Sequence, residues 1–546
     1  MSLLLPAILL LCVHLPGISC FLTARPALVP IHLASKSDGV LAAGTGSSLD
    51  EVKSGTSDAQ QPIRRVAIVG AGIAGLSLAH ALESTCDDVE VTIFDSRPEP
   101  LDFSAGAGVQ INGGASVLRR INPELHGKVV RAALPLKDIR SRAKPWFQSG
   151  GTNGNLFSTL LEINLESAIK NTGGDVEKAL IVDGEVQAFT IMRGALQKIL
   201  VEALPSTAQL ALGKRLTNIK STDDGNGAVC TFNNDDDSFG PFDIVCGCDG
   251  IQSAVKQYID SYNISSDKKS SQSALYSGIR IRYAIEDCDE VGDVAELRQY
   301  FGDGAYGLYG TYGAGEGETR KRGAYLIFND KDYIGPFPKR KEESDAAGVE
   351  TKAAAENAEW VQSGEDDMKA DTLLRMKNAG LPDEELRPVI EAADKFFELG
   401  VYFHNPFSFR GWTRKVKGTK GTYACLLGDS AHAMPPFLGQ GANQAIQDAY
   451  CLAIKIAEHN AICAGGAVPT DGAEEPKAST LEELLKEYET LRWSPTASIT
   501  LKSILLGYLE TGGEGLPSKL RDSVFFTLGK LGIARKVFLD GATPKF

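Results

Sequence analysis

Four short apolar runs punctuate the chain, and each stops at a similar place. Residues 66–69 pass into Gly-Ala-Gly-Ile-Ala-Gly and an Ala/Leu-rich stretch, and residues 89–94 stop at Asp95. Residues 244–248 stop at Asp249-Gly250, and residues 422–427 stop at Gly428-Asp429. Near-continuous apolar runs of this length predict strands covered on both faces, as in a parallel sheet flanked by helices. A different pattern fills the middle. Residues 276–283, 306–312 and 325–328 alternate in strand fashion and predict a second sheet. Residues 313–317 (Gly-Ala-Gly-Glu-Gly) follow no apolar strand that opens into a helix, so they predict a hairpin loop.

The first run carries the most chemistry. Strand, Gly70-x-Gly72-x-x-Gly75, helix, strand and acid occur in the order a dinucleotide fold needs. The glycines serve the tight turn at Gly70, close pyrophosphate approach at Gly72 and helix packing at Gly75, with Ile73 and Ala74 in the helix's first turn. Asp95 lies about 20 residues on, at the distance expected of an acid that binds ribose hydroxyls. The last run leads through a Pro435-Pro436 loop to Gly439-Gln440-Gly441 and an Ala-rich helix. Its free N–H groups and positive dipole suit a ligand that develops negative charge. Asp429 stands at the strand end, where it can accept from ligand hydroxyls. Residues 192–200 predict a helix that starts at Arg193, an arginine able to reach a phosphate or a flavin edge. Asp249 sits at another strand's carboxyl end, where open α/β sheets bind ligands.

Together these features resemble the single-component FAD-dependent monooxygenases, the class that includes aromatic hydroxylases and zeaxanthin epoxidase. The resemblance spans about residues 62–509. It implies an α/β fold in which a Rossmann-like FAD-binding domain of aromatic-hydroxylase type is interleaved with a mixed β-sheet substrate domain and followed by C-terminal helices. It assigns Asp95 to the adenosine ribose, Arg193 to FAD contact, Asp249 to FAD and transient NAD(P)H, and Asp429 to the ribityl chain. Gly439, Gly441, Ala442 and Asn443 would present backbone N–H groups to the flavin pyrimidine, and Gly108 would lie in a loop over the flavin. FAD is the implied cofactor, with NAD(P)H and O2 as co-substrates and a flavin C4a-hydroperoxide as the oxygen donor. Pro435 would shape the dry wall beside the flavin, while Arg282 and Tyr309 would face the substrate. His432 is assigned a structural part. The second dinucleotide fingerprint and redox cysteine pair of a flavin disulfide reductase are not seen.

Composition narrows the rest. The 546 residues suffice for two domains and extensions, and a net charge of -14 without a basic stripe argues against nucleic acid. No zinc-type cysteine spacing appears, so no metal is expected. Residues 1–20 read as a signal peptide and 21–61 as a transit-peptide-like segment, which together resemble the two-part presequence that directs proteins to algal plastids; plain secretion is the alternative. Residues 62–260 and 395–495 are assigned to the FAD-binding domain, 261–394 to the substrate domain with a charged insertion, and 496–546 to a helical tail. That tail is suited either to cap the substrate domain or to touch a bilayer surface as a peripheral contact; no protein partner is expected. The substrate is expected to be a lipophilic or aromatic small molecule. Carotenoid epoxidation leads, hydroxylation of a phenolic or quinone-type ring is the alternative, and a non-catalytic FAD carrier is the competing class.

Overall fold

The computed structural model describes residues 61–98, 101–103, 106–144, 157–170, 172–233, 237–261, 274–330, 365–408, 410–465 and 479–545. The presequence readings over residues 1–60 and most of the charged insertion lie outside the described residues.

The four apolar runs become neighbours in one sheet. Its strand order is Thr413–Lys415, Tyr423–Leu426, Ile244–Gly247, Arg65–Val69, Glu90–Phe94, Ala208–Ala211. All pairs are parallel except that of the Thr413–Lys415 edge. Val66 pairs with Ile244 on one side and Val91 on the other. Val66, Ile68, Ile93, Val245 and Leu426 lose all solvent contact, each such burial favouring the fold by about 1.5–3 kcal/mol. Helices Ile73–Thr85 and Gly441–Cys463 pack on each other over this sheet. Their small, apolar faces explain why both predicted helices follow glycine motifs: Gly75 lies so close to the Gly70 carbonyl that an added Cβ would sit 2.0 Å from it.

The second sheet has nine strands and mixed direction. Its path runs Lys395–His404, Ala274–Asp287, Lys321–Asn329, Ala305–Tyr312, Ala295–Phe301, Leu134–Ala143, Phe189–Met192, Gly108–Ile111, with Ser158–Asn164 beside Leu134–Ala143. Ala295–Phe301 runs parallel to Leu134–Ala143 and the other pairs are antiparallel. Residues 313–320 join two antiparallel neighbours, the hairpin that the missing strand-to-helix pattern predicts.

Alternation gives this sheet two apolar faces. Ile281, Tyr283, Tyr306, Tyr312, Tyr325 and Phe397 share one face with Met192, Leu509 and Phe525. Ala284, Leu326, Phe328 and Phe396 share the other, beneath Met376, Leu386 and Val389 of helices Glu365–Asn378 and Asp383–Ala392. The tail forms helices Leu481–Glu510, Leu516–Lys530 and Ile533–Ala542, the first opened by a Thr480–Glu483 capping box.

Candidate functional site

The strand end at Val69 opens a cradle with no side chain in it. Gly70 has φ +108, and a Cβ there would meet the Cys248 carbonyl oxygen at 2.3 Å, so only glycine makes this turn. Gly72 faces open space, with nothing within 4 Å of an added Cβ. The helix behind it has no side-chain cap, and its first intrahelical bond runs from Leu76 N–H to the Gly72 carbonyl. N–H groups of Gly72, Ile73, Ala74 and Gly75 are therefore available to an anion, which is what a pyrophosphate requires. The Gly70 N–H is not: it donates to the Phe94 carbonyl at 2.7 Å.

Asp95 sits beside this cradle and brings a partner that sequence reasoning missed. Its Oδ2 accepts from Ala71 N–H at 2.7 Å, and its Oδ1 accepts from the Arg97 backbone N–H and Nε, both at 2.9 Å. Burial pushes the Asp95 carboxyl up, but Arg97 and the backbone donors outweigh it and hold the group below the ordinary carboxylate range. Asp95 is thus held as an anion beside the cradle, with both oxygens bonded to Ala71 and Arg97. An arginine two residues past the strand-end acid was the available signal.

Arg193 and Asp429 lie within electrostatic reach of each other. Both side chains reach solvent, yet the surrounding protein pushes the Arg193 guanidinium down while the Asp429 carboxylate opposes that shift. The Arg193 N–H donates to Ala107, and Gly106 passes so close that an added Cβ would lie 3.3 Å from the Arg193 Cβ. Gly108 needs to be glycine because the Tyr312 ring would meet a Cβ at 2.1 Å. It begins a strand of the large sheet instead of lying in a free loop.

Asp249 is tied to the turns around it. Its Oδ2 accepts from Ala254 N–H (2.6 Å) and Val255 N–H (3.4 Å), capping helix Ala254–Ser261, while its Oδ1 takes the Ser430 hydroxyl at 3.3 Å. Burial raises its carboxyl, while the Ser253 hydroxyl and the backbone N–H groups of Ala254 and Val255 oppose the rise. With both oxygens engaged by the protein, Asp249 supports the turn next to Asp429.

That turn rests on a fully buried cluster. Asp448 accepts from Gly428 N–H (2.9 Å) and Arg492 Nε (2.7 Å), and its Oδ2 lies 2.5 Å from His432 Nε2. Burial raises the Asp448 carboxyl, yet His432 and Arg492 overcome this and hold it low. His432 therefore holds the turn in place, the structural part expected of it.

Beyond it, Pro435 offers its carbonyl to the Ser503 hydroxyl at 2.7 Å, and Phe437 lies flush against Gly507, where a Cβ would come within 2.2 Å of the ring. The Gly439 N–H donates to Pro436, so the expected donor role passes to the residues after it. Gly441 faces open space, and Gly441, Ala442 and Asn443 start a helix without a side-chain cap. The Asn443 side chain ties the loop down: Oδ1 accepts from Asn112 and Gly114 N–H, and Nδ2 donates to the Gln110 and Gly439 carbonyls.

Over this loop lies the face of the large sheet that holds Met192 and Tyr312. Tyr283 stacks on Phe397 (4.7 Å between centroids, 19°) and meets Tyr325 edge-on at 5.2 Å. Glu510 is buried beside Tyr306 and Gln299, with Oε2 lacking a partner, and burial pushes its carboxyl up to about 8.

Arg282 and Tyr309, expected to face the substrate, occupy the opposite face. Arg282 donates to Glu398 (2.6 Å), Asp371 (2.7 Å) and Thr372 (2.9 Å) under helix Glu365–Asn378. Tyr309 lies beneath Arg298 and borders an outer cleft of about 420 Å³ with Glu296 and Arg322. Sequence alternation separates odd from even positions; it does not say which set meets the flavin loop. Among the described residues no cluster of His, Cys, Asp and Glu could hold a metal.

Known proteins agree with this geometry. Residues 68–131 match an NAD(P)-binding Rossmann-like domain and residues 408–466 an FAD binding domain. The chain is 24% identical over 444 residues to 3-amino-4-hydroxybenzoate 2-monooxygenase of Streptomyces cremeus, covering 80% of this chain and 84% of that protein. It is 25% identical over 453 residues to the FAD-dependent monooxygenase pigN of Monascus ruber, covering 82% and 88%. Its fold matches Klebsiella pneumoniae HpxO, solved with FAD and uric acid, at TM-score 0.60 and 19% identity over 88% of this chain and 97% of that one. With the uncapped helix starts at Gly72 and Gly441, the matched FAD-binding and Rossmann-like segments and these relatives, the chain is an FAD-dependent monooxygenase similar to the single-component, aromatic-hydroxylase type, with FAD as cofactor and NAD(P)H as co-substrate.

Proposed function

We propose that the enzyme hydroxylates a phenolic or quinone-type ring, using NAD(P)H and O2: ring C–H, O2, NAD(P)H and a proton give ring C–OH, NAD(P)+ and water. The observation that carries this reading is the flavin-side face of the large sheet. Tyr283, Phe397, Tyr325 and Tyr312 form a wall of mutually packed rings. Such a wall favours offset or edge-on stacking with a planar guest, and the tyrosine hydroxyls, with Glu510 beyond Tyr306, offer polar anchors that a hydrocarbon chain would leave unmatched.

FAD, when bound, accepts hydride from NAD(P)H and activates O2. The chain's own residues supply the rest. Gly72 to Gly75 would hold the pyrophosphate, Asp95 with Arg97 would position a ribose, and Asp429 with Arg193 would line the ribityl stretch. Gly441, Ala442 and Asn443 would turn the helix-start N–H groups and dipole toward the flavin, where they would stabilise negative charge. Pro435, Phe437 and Gly507 close the wall against water, which protects oxygen transfer from wasteful peroxide release.

A second reading, epoxidation of a carotenoid, draws support from Leu308, Leu399, Leu506 and Phe437, apolar and only partly buried on the same face. A substrate panel separates the two: purified holoenzyme is assayed for substrate-stimulated NAD(P)H oxidation with phenols, quinols and zeaxanthin. Stimulation and a hydroxylated product with a ring support the proposal; turnover of zeaxanthin alone supports the second reading. The two-part presequence further leads us to place the enzyme in a plastid, which fusion of residues 1–61 to a fluorescent protein tests; secretion of the fusion would refute it.

A further inference from the structure

Helix Leu516–Lys530 is amphipathic in an unusual direction. Its inner residues Ser518, Arg521, Asp522, Phe525 and Leu528 are buried, with Phe525 against Phe301. Its outer side carries four exposed apolar residues, Leu516 at 72%, Leu520 at 45%, Phe526 at 42% and Leu531 at 68%, with exposed Ser523 and Thr527 between them. Leu516 and Leu520 lie one turn apart, while Phe526 and Leu531 stand near the helix's other end on the same outward half. A folded chain ordinarily covers such a row or uses it.

Charge around the row runs against that of the molecule. The chain carries -14, yet beside this helix the cations Lys519, Lys530, Arg535 and Lys536 outnumber the exposed acids Glu514 and Asp303 at its start. Asp522 is paired with Arg521, and Asp540 with Lys502 and Lys545. Lys530, Arg535 and Lys536 are exposed and Lys519 half-exposed, and the Lys530 ammonium lies 4.3 Å above the Phe526 ring. An apolar line flanked by lysine and arginine matches the interfacial boundary of an anionic bilayer, where leucine and phenylalanine enter the acyl edge and cations meet phosphates. A second copy fits less well, since a two-fold contact would set this cationic row against itself. No described helix is long and apolar enough to cross a membrane, so the contact is peripheral.

We propose that Leu516–Lys530 and the start of Ile533–Ala542 form a docking face for an anionic lipid bilayer. The same tail leads back through helix Leu481–Glu510 to Gly507 and the Phe437 wall, so docking sets the oxygenation site close to a reservoir of apolar substrate. The inference is independent of which ring or alkene is oxidised.

The test uses full-length holoenzyme with vesicles of phosphatidylcholine alone or of phosphatidylcholine with phosphatidylglycerol. We expect co-sedimentation with the anionic vesicles, weakening as salt rises, and slowed amide exchange in residues 516–536 on vesicle addition. Leu516→Glu with Leu520→Glu, and separately Lys519→Glu with Lys530→Glu, should each lower the bound fraction about tenfold or more while bound FAD absorbance is unchanged. Exchange in 516–536 that ignores vesicles overturns the proposal, as does equal binding by both double variants. A concentration-dependent dimer abolished by the same substitutions would also overturn it, assigning the face to a second copy.

Discussion

Gly70 and Gly72 lie two residues apart and are glycine for different reasons. At Gly70 the backbone is left-handed and packed on Cys248; at Gly72 it is extended and faces open cleft. Gly70→Ala should therefore destabilise the apoprotein by about 1–3 kcal/mol. Gly72→Ala should leave apoprotein melting unchanged and weaken FAD binding at least about tenfold, because the new methyl occupies pyrophosphate space. Calorimetry of both apoproteins with FAD titration checks the contrast, and equal behaviour of the pair would count against the cradle assignment. Glu510 allows a pH test. Its folded-state value is raised from 4.5 to about 8 by burial, so between those values the unfolded chain releases a proton that the fold retains. Its contribution is present below pH 4.5 and is lost as pH rises through about 8. Glu510→Gln should remove that decline, so the difference in thermal stability between variant and wild type shifts in the variant's favour from pH 5 to pH 8. A pH-independent difference would refute the buried-carboxyl account.

At the scale of elements, the loops after strands were legible because their chemistry is local. The Gly-x-Gly-x-x-Gly turn, the Arg193 helix start and the Gly428-Asp429 strand end each announce themselves within about ten residues of sequence. What was not legible depends on distant partners. Asp448 meets Arg492, 44 residues on, and Asn443 reaches Asn112 across 331 residues. The family resemblance points Arg282 and Tyr309 at the substrate, and the covering helices Glu365–Asn378 and Asp383–Ala392 show that their side of the sheet is the one those helices cover. Arg282→Gln should accordingly reduce stability, which denaturant unfolding reads, while leaving KM for the ring substrate within about twofold; Tyr283→Ala should raise that KM. The Asp448 cluster carries a larger effect. Arg492→Met strands a buried carboxylate and should cost about 3–5 kcal/mol, with FAD retention falling because the Gly428 turn relaxes. Unfolding midpoints with and without FAD measure both.

For the whole molecule, the cofactor is also a structural member. The residues assigned to it come from the Rossmann-like sheet (Gly72, Asp95, Asp429) and from the edge of the large sheet, where Gly108 pairs with Met192 just before Arg193. FAD at about 100 times its Kd should stabilise the fold by about 2.7 kcal/mol, a shift in melting that the Gly72→Ala variant should lack. The central claim, that this scaffold transfers one oxygen atom from O2 to a ring, is tested most directly by isotope. Holoenzyme is incubated with NADPH, 18O2 and the phenol that most stimulates NADPH oxidation, and the product is weighed. The account predicts one 18O atom on the ring for each NADPH consumed in coupled turnover. NADPH consumption matched entirely by hydrogen peroxide, with no labelled product from any phenol, quinol or zeaxanthin, would contradict it.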